Sequence, residues 1–150
     1  MILEAHGLRV ALPHGWSGRV FRRTGGIAAL HAADFQLPLD DGEFGDRSTS
    51  LMPSTASFVA LAEYAPGAGL RPGAGLFAPA RIPLPLDPAT FASTRLAHPR
   101  PGQVGTQHFF TASGRPFCVY AVLAGHRSAR RRQVLVLDHV LRSLKIAPRQ

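Results

Sequence analysis

The sequence predicts an α+β fold, in which a mostly antiparallel sheet of six or seven strands carries a C-terminal helix on one face. In residues 115–146, an apolar segment rich in Val, Phe and Tyr leads through a glycine-marked turn into a segment of helical periodicity and a short β-like tail. Earlier in the chain, short apolar segments alternate with turn residues, which indicates hairpins. With 150 residues, of which 45% are hydrophobic, the chain suits a single globular domain, 1–150.

The N-terminal third predicts three short strands and a polar loop. The first strand leans apolar and stops at Pro13, after which a glycine-containing turn surrounds Trp16. The second and third strands flank Thr24-Gly25-Gly26, a sequence that favours a hairpin. The three strands are predicted over residues 7–12, 19–23 and 27–33, and the loop over residues 38–47.

The middle of the chain is rich in proline and glycine. Residues 54–64 fit either a helix or a buried strand, and their short length and the Pro66-Gly67 that follows favour the strand. Residues 66–101 contain eight of the thirteen prolines, which excludes a long regular helix. We expect this segment to be a rigid cover over one face or edge of the sheet, and a binding surface is the alternative.

The C-terminal part predicts a hairpin followed by the helix. Two strands, over residues 104–111 and 115–123, are joined by a short turn that contains Gly114. Ser128 is the predicted N-cap of a helix over residues 129–142, and residues 144–146 form a last strand. Five apolar residues at three- and four-residue spacing should face the core: Val134, Leu137, Val140, Leu141 and Leu144.

Both ends of the chain resemble the PsbP-like fold superfamily. The opening strand and the Pro13-His14-Gly15-Trp16 turn are similar to the first strand and Pro-x-Gly-Trp turn of that fold. The ending, from Gly114-Arg115-Pro116-Phe117 through the helix to Ser143-Leu144-Lys145-Ile146, is similar to its C-terminal strand–helix–strand unit. The resemblance implies an α/β/α sandwich and a mostly non-catalytic superfamily of assembly factors, adaptors, lipoproteins and binding modules. It carries over no shared active site to residues of this sequence.

Short motifs for cofactor binding and nucleophilic catalysis are incomplete. Gly73-Ala74-Gly75 superficially matches a dinucleotide-binding loop, but no strand precedes it and Pro79 follows, so no helix N-terminus would hold a pyrophosphate. The sequence around Ser17 lacks the glycine spacing of a nucleophile elbow. Cys118, the only cysteine, lies within a predicted strand and is expected to be buried and unreactive. We therefore expect no cofactor.

Histidines and carboxylates do not form a recognisable site. None of the seven histidines has the spacing of a helical metal-binding motif, so we expect no metal site. Four of the nine acidic residues fall within residues 40–46, which we interpret as a solvated acidic loop because the ligand order of an EF-hand is missing. A small hydrolase-like enzyme built from scattered His, Asp and Arg remains the alternative, and a His–carboxylate contact in a deep polar pocket would favour it.

The chain is strongly basic, with a net charge of +8 and a single lysine among its seventeen basic residues. Abundant Arg, Ala, Gly and Pro are also the bias of a GC-rich bacterial genome, which weakens the inference of an anionic partner. The one dense cluster lies at the predicted helix start and comprises Arg127, Arg130, Arg131 and Arg132. We interpret it first as a solvated helix start that opposes the helix dipole, and alternatively as a patch for an anion or a partner.

The sequence thus predicts a non-catalytic binding or assembly module. We expect its partner to be a protein, including a second copy of the chain; a nucleic acid is less favoured, because it requires the arginines to share one face. The candidate binding residues are the four arginines and Trp16, although for Trp16 we favour packing under the sheet edge over ligand stacking. No apolar run approaches the ~20 residues of a membrane span, and the residues after Met1 lack the pattern of a signal peptide, so we expect neither feature. We expect a cytoplasmic protein, with a mature exported domain as the alternative.

Overall fold

A computed structural model describes residues 1–65, 67 and 69–149 and has the predicted α+β fold, with antiparallel sheets and a C-terminal helix. The described residues form two α-helices, α1 (Asp46–Ser50) and α2 (Arg130–Arg142). They also form eight strands: β1 (Ile2–Ala5), β2 (Leu8–Ala11), β3 (Ser17–Arg22), β4 (Ala28–Ala33), β5 (Ser57–Glu63), β6 (Gln103–Ala112), β7 (Arg115–Ala124) and β8 (Lys145–Ile146).

The strands form two sheets, which corrects the single sheet of six or seven strands predicted from the sequence. The larger sheet has five strands in the order β3-β4-β5-β7-β6, and the smaller has three in the order β1-β2-β8. The last strand predicted over residues 144–146 is present as β8, but its pairing with β2 from the opposite end of the chain, with Leu8 opposite Ile146, was not predicted. The four-residue strand β1 lies before the first predicted strand.

Two tight turns fix the register of the hairpins. Ser113 and Gly114 connect β6 to β7, and His6 and Gly7 connect β1 to β2; all four residues have positive φ. Positive φ at both central residues matches the right-handed twist of paired strands, so these turns align the strands without splaying them. The predicted β6–β7 hairpin is therefore confirmed. The strand favoured over residues 54–64 is confirmed separately, since β5 lies within this range.

The central strands β5 and β7 are buried along their whole length because both faces of the larger sheet are covered. Side chains that point to one face join a core with Val134, Leu137, Val140 and Leu141 of α2. Alternate side chains, among them Phe58 and Tyr120, join a second cluster with Leu37 and Leu96. Burial on two faces explains why both strands have continuous apolar sequences instead of an alternating pattern.

The described part of the Pro-rich segment contains only short 3₁₀ turns and packs against the sheet and α2. Ile82, Leu86 and Phe91 belong to the core that α2 contacts. The backbone of Ala92 pairs with Gly105 of the edge strand β6. These contacts cover one edge of the larger sheet, so an open row of backbone donors and acceptors is partly satisfied there.

A buried ion pair joins the two sheets. Arg115, at the start of β7, donates from Nε to Oε2 of Glu63 over 2.9 Å and from Nη2 to Oε1 over 3.1 Å. The same guanidinium donates to the backbone carbonyls of His6 and Ala147, which flank the smaller sheet. Burial alone would raise the pKa of Glu63, but hydrogen bonds from Arg115 and Arg149 outweigh it and lower the pKa to about 2.

The first prediction concerns the helix–sheet core. Leu137 is 0% exposed, and Leu137→Ala should lower the free energy of unfolding by about 2–5 kcal/mol, because it leaves a cavity in a close-packed interior. Leu135, which is 62% exposed on the same helix, is the matched control, and Leu135→Ala should change stability by less than about 0.5 kcal/mol. Urea unfolding of the two variants measures both values. Equal losses in the two variants would contradict the assigned buried face.

The second prediction concerns acid stability. A carboxylate whose pKa is lowered in the folded state stabilises the protein above its unfolded pKa and loses that contribution as pH falls through the folded pKa. Glu63 should therefore contribute about 3 kcal/mol at neutral pH, lost between about pH 4.5 and 2. Stability measured against pH should fall in this window.

Glu63→Gln should weaken that acid dependence and destabilise the protein at neutral pH by about 3–5 kcal/mol, because Arg115 then lacks its buried partner. Glu4→Gln is the control, since Glu4 forms only an exposed pair with Arg9, and it should leave the acid dependence close to that of the parent protein. Equal effects of the two substitutions would show that the buried pair does not set the acid limit.

Candidate functional site

Helix α2 is held in a fixed orientation by three polar side chains. Near its start, Nε2 of Gln133 donates to the carbonyl of Ala124 at the end of β7 over 2.9 Å. In its middle, the buried Asp138 accepts a hydrogen bond from the Leu86 amide over 2.8 Å. This contact ties the Pro-rich segment, which we call the covering segment, to the helix. At its end, Ser143 Oγ accepts from the Ala11 amide of β2 over 2.9 Å. The outward face of α2 is therefore determined by both sheets and by the covering segment.

The helix begins differently from the sequence prediction. Ser128 is not its N-cap: residues 127–129 form a 3₁₀ turn, and α2 then starts at Arg130 after Ala129, without a side-chain cap. The Ser128 hydroxyl instead hydrogen-bonds to Nδ1 of His126 over 2.9 Å, and that nitrogen also accepts from the Ser128 amide. Three arginines consequently occupy the first turn of an uncapped helix, where their charges oppose the dipole.

The solvent-exposed face of α2 is basic, with an apolar centre. Arg131, Leu135, His139 and Arg142 recur at three- and four-residue spacing and are all exposed, and Arg132 is exposed beside them. Leu135, the apolar residue of this face, is exposed over 62% of its surface. The only carboxylate of the helix, Asp138, is buried, so no acidic side chain of α2 neutralises this face. We refer to these five residues as the basic face.

An apolar groove adjoins the C-terminal end of the basic face. The groove has a volume of about 620 Å³ and lies between the covering segment, the end of β6 and the end of α2. Arg142 belongs both to the basic face and to the groove lining, so the two surfaces are continuous. The apolar lining side chains include Ile82, Leu84, Phe110, Leu141, Leu144 and Ile146.

The structure separates the predicted binding residues. Arg131 and Arg132 lie on the basic face, and Arg127 is exposed in the preceding turn. Arg130 is half-buried, because the three- and four-residue spacing places it on the side of Val134, Leu137 and Leu141. Trp16 is half-buried in the turn before β3 and packs against the core that α2 contacts, as the favoured packing interpretation of this residue predicts.

The distribution of charge leaves the basic face unpaired among the described residues. Among the described residues, five arginines form ion pairs, and none of the five lies on α2: Arg9, Arg23, Arg100, Arg115 and Arg149. Three of the nine carboxylates, those of Asp41, Glu63 and Asp138, are buried. The protein uses much of its negative charge internally, so the surface retains a large cationic excess.

The acidic loop is not wholly solvated, which corrects the interpretation of residues 40–46. Asp41 is buried, and its Oδ2 lies 2.8 Å from Nδ1 of the fully buried His31. Asp41 also accepts from the amide and the hydroxyl of Ser48 in α1, and Nε2 of His31 faces the Glu43 carbonyl over 2.9 Å. Burial alone would raise the pKa of Asp41, but the hydrogen bonds from His31 and Ser48 outweigh it and lower the pKa.

This His–carboxylate contact bears on the enzyme alternative. A serine nucleophile is activated by a hydrogen bond to a base, whereas Ser48 donates to Asp41 and the carboxylate separates the hydroxyl from the ring. An open cavity of about 800 Å³ beside the loop is lined by Asp41 but not by His31, whose ring packs edge-on against Phe21 and Phe58. The arrangement pins the acidic loop to β4, and this is its evident role.

Sequence reasoning missed this cluster because His31 and Asp41 are ten residues apart and neither belongs to a motif. The pairing depends on the loop folding back over β4, and the only sequence signal is a histidine in an otherwise apolar strand, residues 28–33. Cys118 lies where it was expected: it is buried within β7, and burial raises the pKa of its thiol to about 12. Such a thiol is a poor nucleophile.

Within residues 1–65, 67 and 69–149, no group of three or more His, Cys, Asp or Glu side chains has an arrangement that could hold a metal ion. In the same part of the chain, no helix has both the length and the apolar character needed to cross a bilayer. No protein-family model matches the sequence, and comparison with curated proteins and with solved structures finds no significant match.

The third prediction concerns the helix start. The substitutions Arg130→Gln, Arg131→Gln and Arg132→Gln together should leave the free energy of unfolding unchanged or raise it by a few tenths of a kcal/mol, because they remove adjacent like charges that oppose the dipole. Arg142→Gln at the other end of α2 is the control and should slightly lower stability, because a positive charge there favours the dipole. Thermal unfolding at low salt measures both. A clear loss of stability in the triple variant would give the cluster a structural role.

Proposed function

We propose that this protein is a non-catalytic binding module that holds an acidic segment of a partner protein along the basic face of α2. The observation that carries the proposal is the continuity of the basic face with the apolar groove through Arg142. Carboxylates of the partner would pair with Arg131, Arg132 and Arg142, and an apolar side chain would enter the groove. Arginine beside apolar contact area is a combination enriched in protein–protein interfaces.

Two features favour a protein partner over a nucleic acid. Leu135 and Val136 place apolar surface between the arginines, and α2 contributes no Phe, Tyr or Trp on which a base could stack. Single-strand binding combines a cationic groove with such stacking side chains. The adjoining groove offers apolar contacts, which suit the side chains of a protein segment better than a phosphate backbone.

A second copy of the chain is a poorer partner for this surface. Three of its nine carboxylates are buried, and Glu4, Glu43 and Asp46 already pair with arginines of the same chain. Two such molecules would bring cationic surfaces together, which costs free energy at low salt. A separate acidic protein is the partner that the charges favour.

The PsbP-like resemblance points to the same class of function. This resemblance depends on strand β2 with the Pro13–Trp16 turn that follows it and on the order β7, α2, β8 at the end of the chain. We propose on this basis that the fold is a variant of the PsbP-like sandwich with an adaptor or assembly role. The proposed acidic partner does not depend on this fold assignment, because it is inferred from the surface of α2 alone.

The fourth prediction tests the binding surface. Helical peptides selected from a random display library against the whole protein should be enriched in Asp and Glu and carry a Leu or Phe anchor. The combined change of Arg131, Arg132 and Arg142 to Gln should weaken the selected peptides roughly tenfold or more, because three charge-assisted contacts are lost. The matched control changes Arg47, Arg71 and Arg95 to Gln, which removes the same charge from exposed positions away from α2.

Fluorescence anisotropy at low and at physiological salt measures these affinities. Peptides that bind equally well to both triple variants would contradict the proposal. Duplex DNA or RNA that binds more tightly than the selected peptides, and that is lost only in the α2 variant, would assign the face to nucleic acid instead. The first outcome rejects the surface, and the second rejects the class of partner.

A further inference from the structure

A second basic surface lies in a cleft at the junction of the two sheets, away from α2. The cleft has a volume of about 710 Å³, within the range of small-molecule sites in proteins. It is formed by the β1–β2 turn, the β3–β4 hairpin, the end of β5, the start of β7 and residues 145–149, which follow α2. It shares no lining residue with the basic face, so any ligand of this cleft is independent of the proposed function.

The cleft carries a net positive charge. Five arginine and lysine side chains line it: Arg9, Arg22, Arg115, Lys145 and Arg149. Only two carboxylates oppose them, those of Glu4 and Glu63, which leaves a net charge of +3. Glu63 is 1% exposed and engaged with Arg115 and Arg149, so it offers little repulsion to an incoming anion.

The floor of the cleft is rigid and preorganised. The Arg115 guanidinium has its hydrogen-bonding groups directed to Glu63 and to two backbone carbonyls, so its position is fixed. Gly7, with φ +79°, allows the β1–β2 turn to approach closely: a Cβ at this position would lie 2.5 Å from Nη1 of Arg115. A fixed cationic floor can attract an anion without reorganising, which lowers the entropic cost of binding.

The rim of the cleft supplies donors that can reach a ligand. Arg22 and Lys145 are exposed, and neither side chain makes a hydrogen bond or an ion pair with another described residue. They approach the cavity from different elements, the β3–β4 hairpin and β8. An anion between them would receive planar donors from the guanidinium and a point charge from the ammonium, a combination that suits phosphate and carboxylate oxygens.

We propose that this cleft binds a small polyanion, a molecule that carries a phosphate group or at least two carboxylates. The net charge of +3 requires more than one negative charge for neutralisation, and the concave shape favours a compact molecule over an extended polymer. Arg22 and Lys145 are the binding residues, and Arg115 with Glu63 forms the positioning floor. Nothing in this proposal depends on the surface of α2.

The fifth prediction uses Lys145, which is the only lysine in the sequence. Acetylation of the whole protein by a water-soluble N-hydroxysuccinimide ester, followed by peptide mass spectrometry, reports this single side chain. The α-amino group of Met1 does not line the cleft and is the internal reference. Pyrophosphate, inorganic phosphate and citrate, each at constant ionic strength, should slow the modification of Lys145 relative to that of Met1.

Matched variants separate the cleft from general charge effects. Arg22→Gln with Lys145→Gln should weaken pyrophosphate or citrate binding, measured by titration calorimetry, roughly tenfold. Arg47→Gln with Arg95→Gln removes the same charge from exposed positions outside the cleft and should leave the affinity unchanged. Tighter binding of pyrophosphate identifies a phosphate site, and tighter binding of citrate identifies a polycarboxylate site. Absence of Lys145 protection by all three anions, or equal losses in both double variants, would overturn the proposal.

Discussion

The buried contact between Glu63 and Arg115 is the constraint on which the arrangement of the two sheets depends. It joins the end of β5 to the start of β7, and through the His6 and Ala147 carbonyls it fixes the position of the three-stranded sheet. Moving these charges out of water is costly, and the pair is tolerated because its hydrogen-bonding groups are satisfied. The junction therefore has a defined geometry, and the basic cleft is a direct consequence of it.

Local patterns predicted most of the elements. The apolar spacing of Val134, Leu137 and Leu141 predicted the buried face of α2, and the short turn at Ser113-Gly114 predicted the β6–β7 hairpin. The three-stranded sheet could not be predicted, because it forms by pairing between residues near opposite ends of the chain. The last strand itself was predicted over residues 144–146, but its pairing with β2 exists only once the helix has returned the chain to β2.

The candidate sites show a similar division. The arginine cluster was visible as a run of charge, but only the helix geometry separates the half-buried Arg130 from Arg131 and Arg132 and joins the latter to Leu135 and Arg142. A run of charged residues predicts only that charge is concentrated in that segment. Which of these residues share one exposed face depends on where the helix starts and on which side packs against the sheet. The solvated-loop interpretation failed for a related reason: burial of Asp41 depends on its contact with His31, ten residues earlier, which no local pattern encodes.

Internal use of carboxylates links the fold to its surface chemistry. Glu63 joins the sheets, Asp41 anchors the acidic loop, and Asp138 connects α2 to the covering segment. Three of the nine carboxylates therefore make buried contacts within the protein. Each lies where a backbone amide or a basic side chain requires an acceptor, and each is thereby removed from the surface. With seventeen basic residues in the chain, the exterior must be cationic. The proposed acidic partner of α2 and the proposed small anion in the cleft therefore both follow from the same internal distribution of charge.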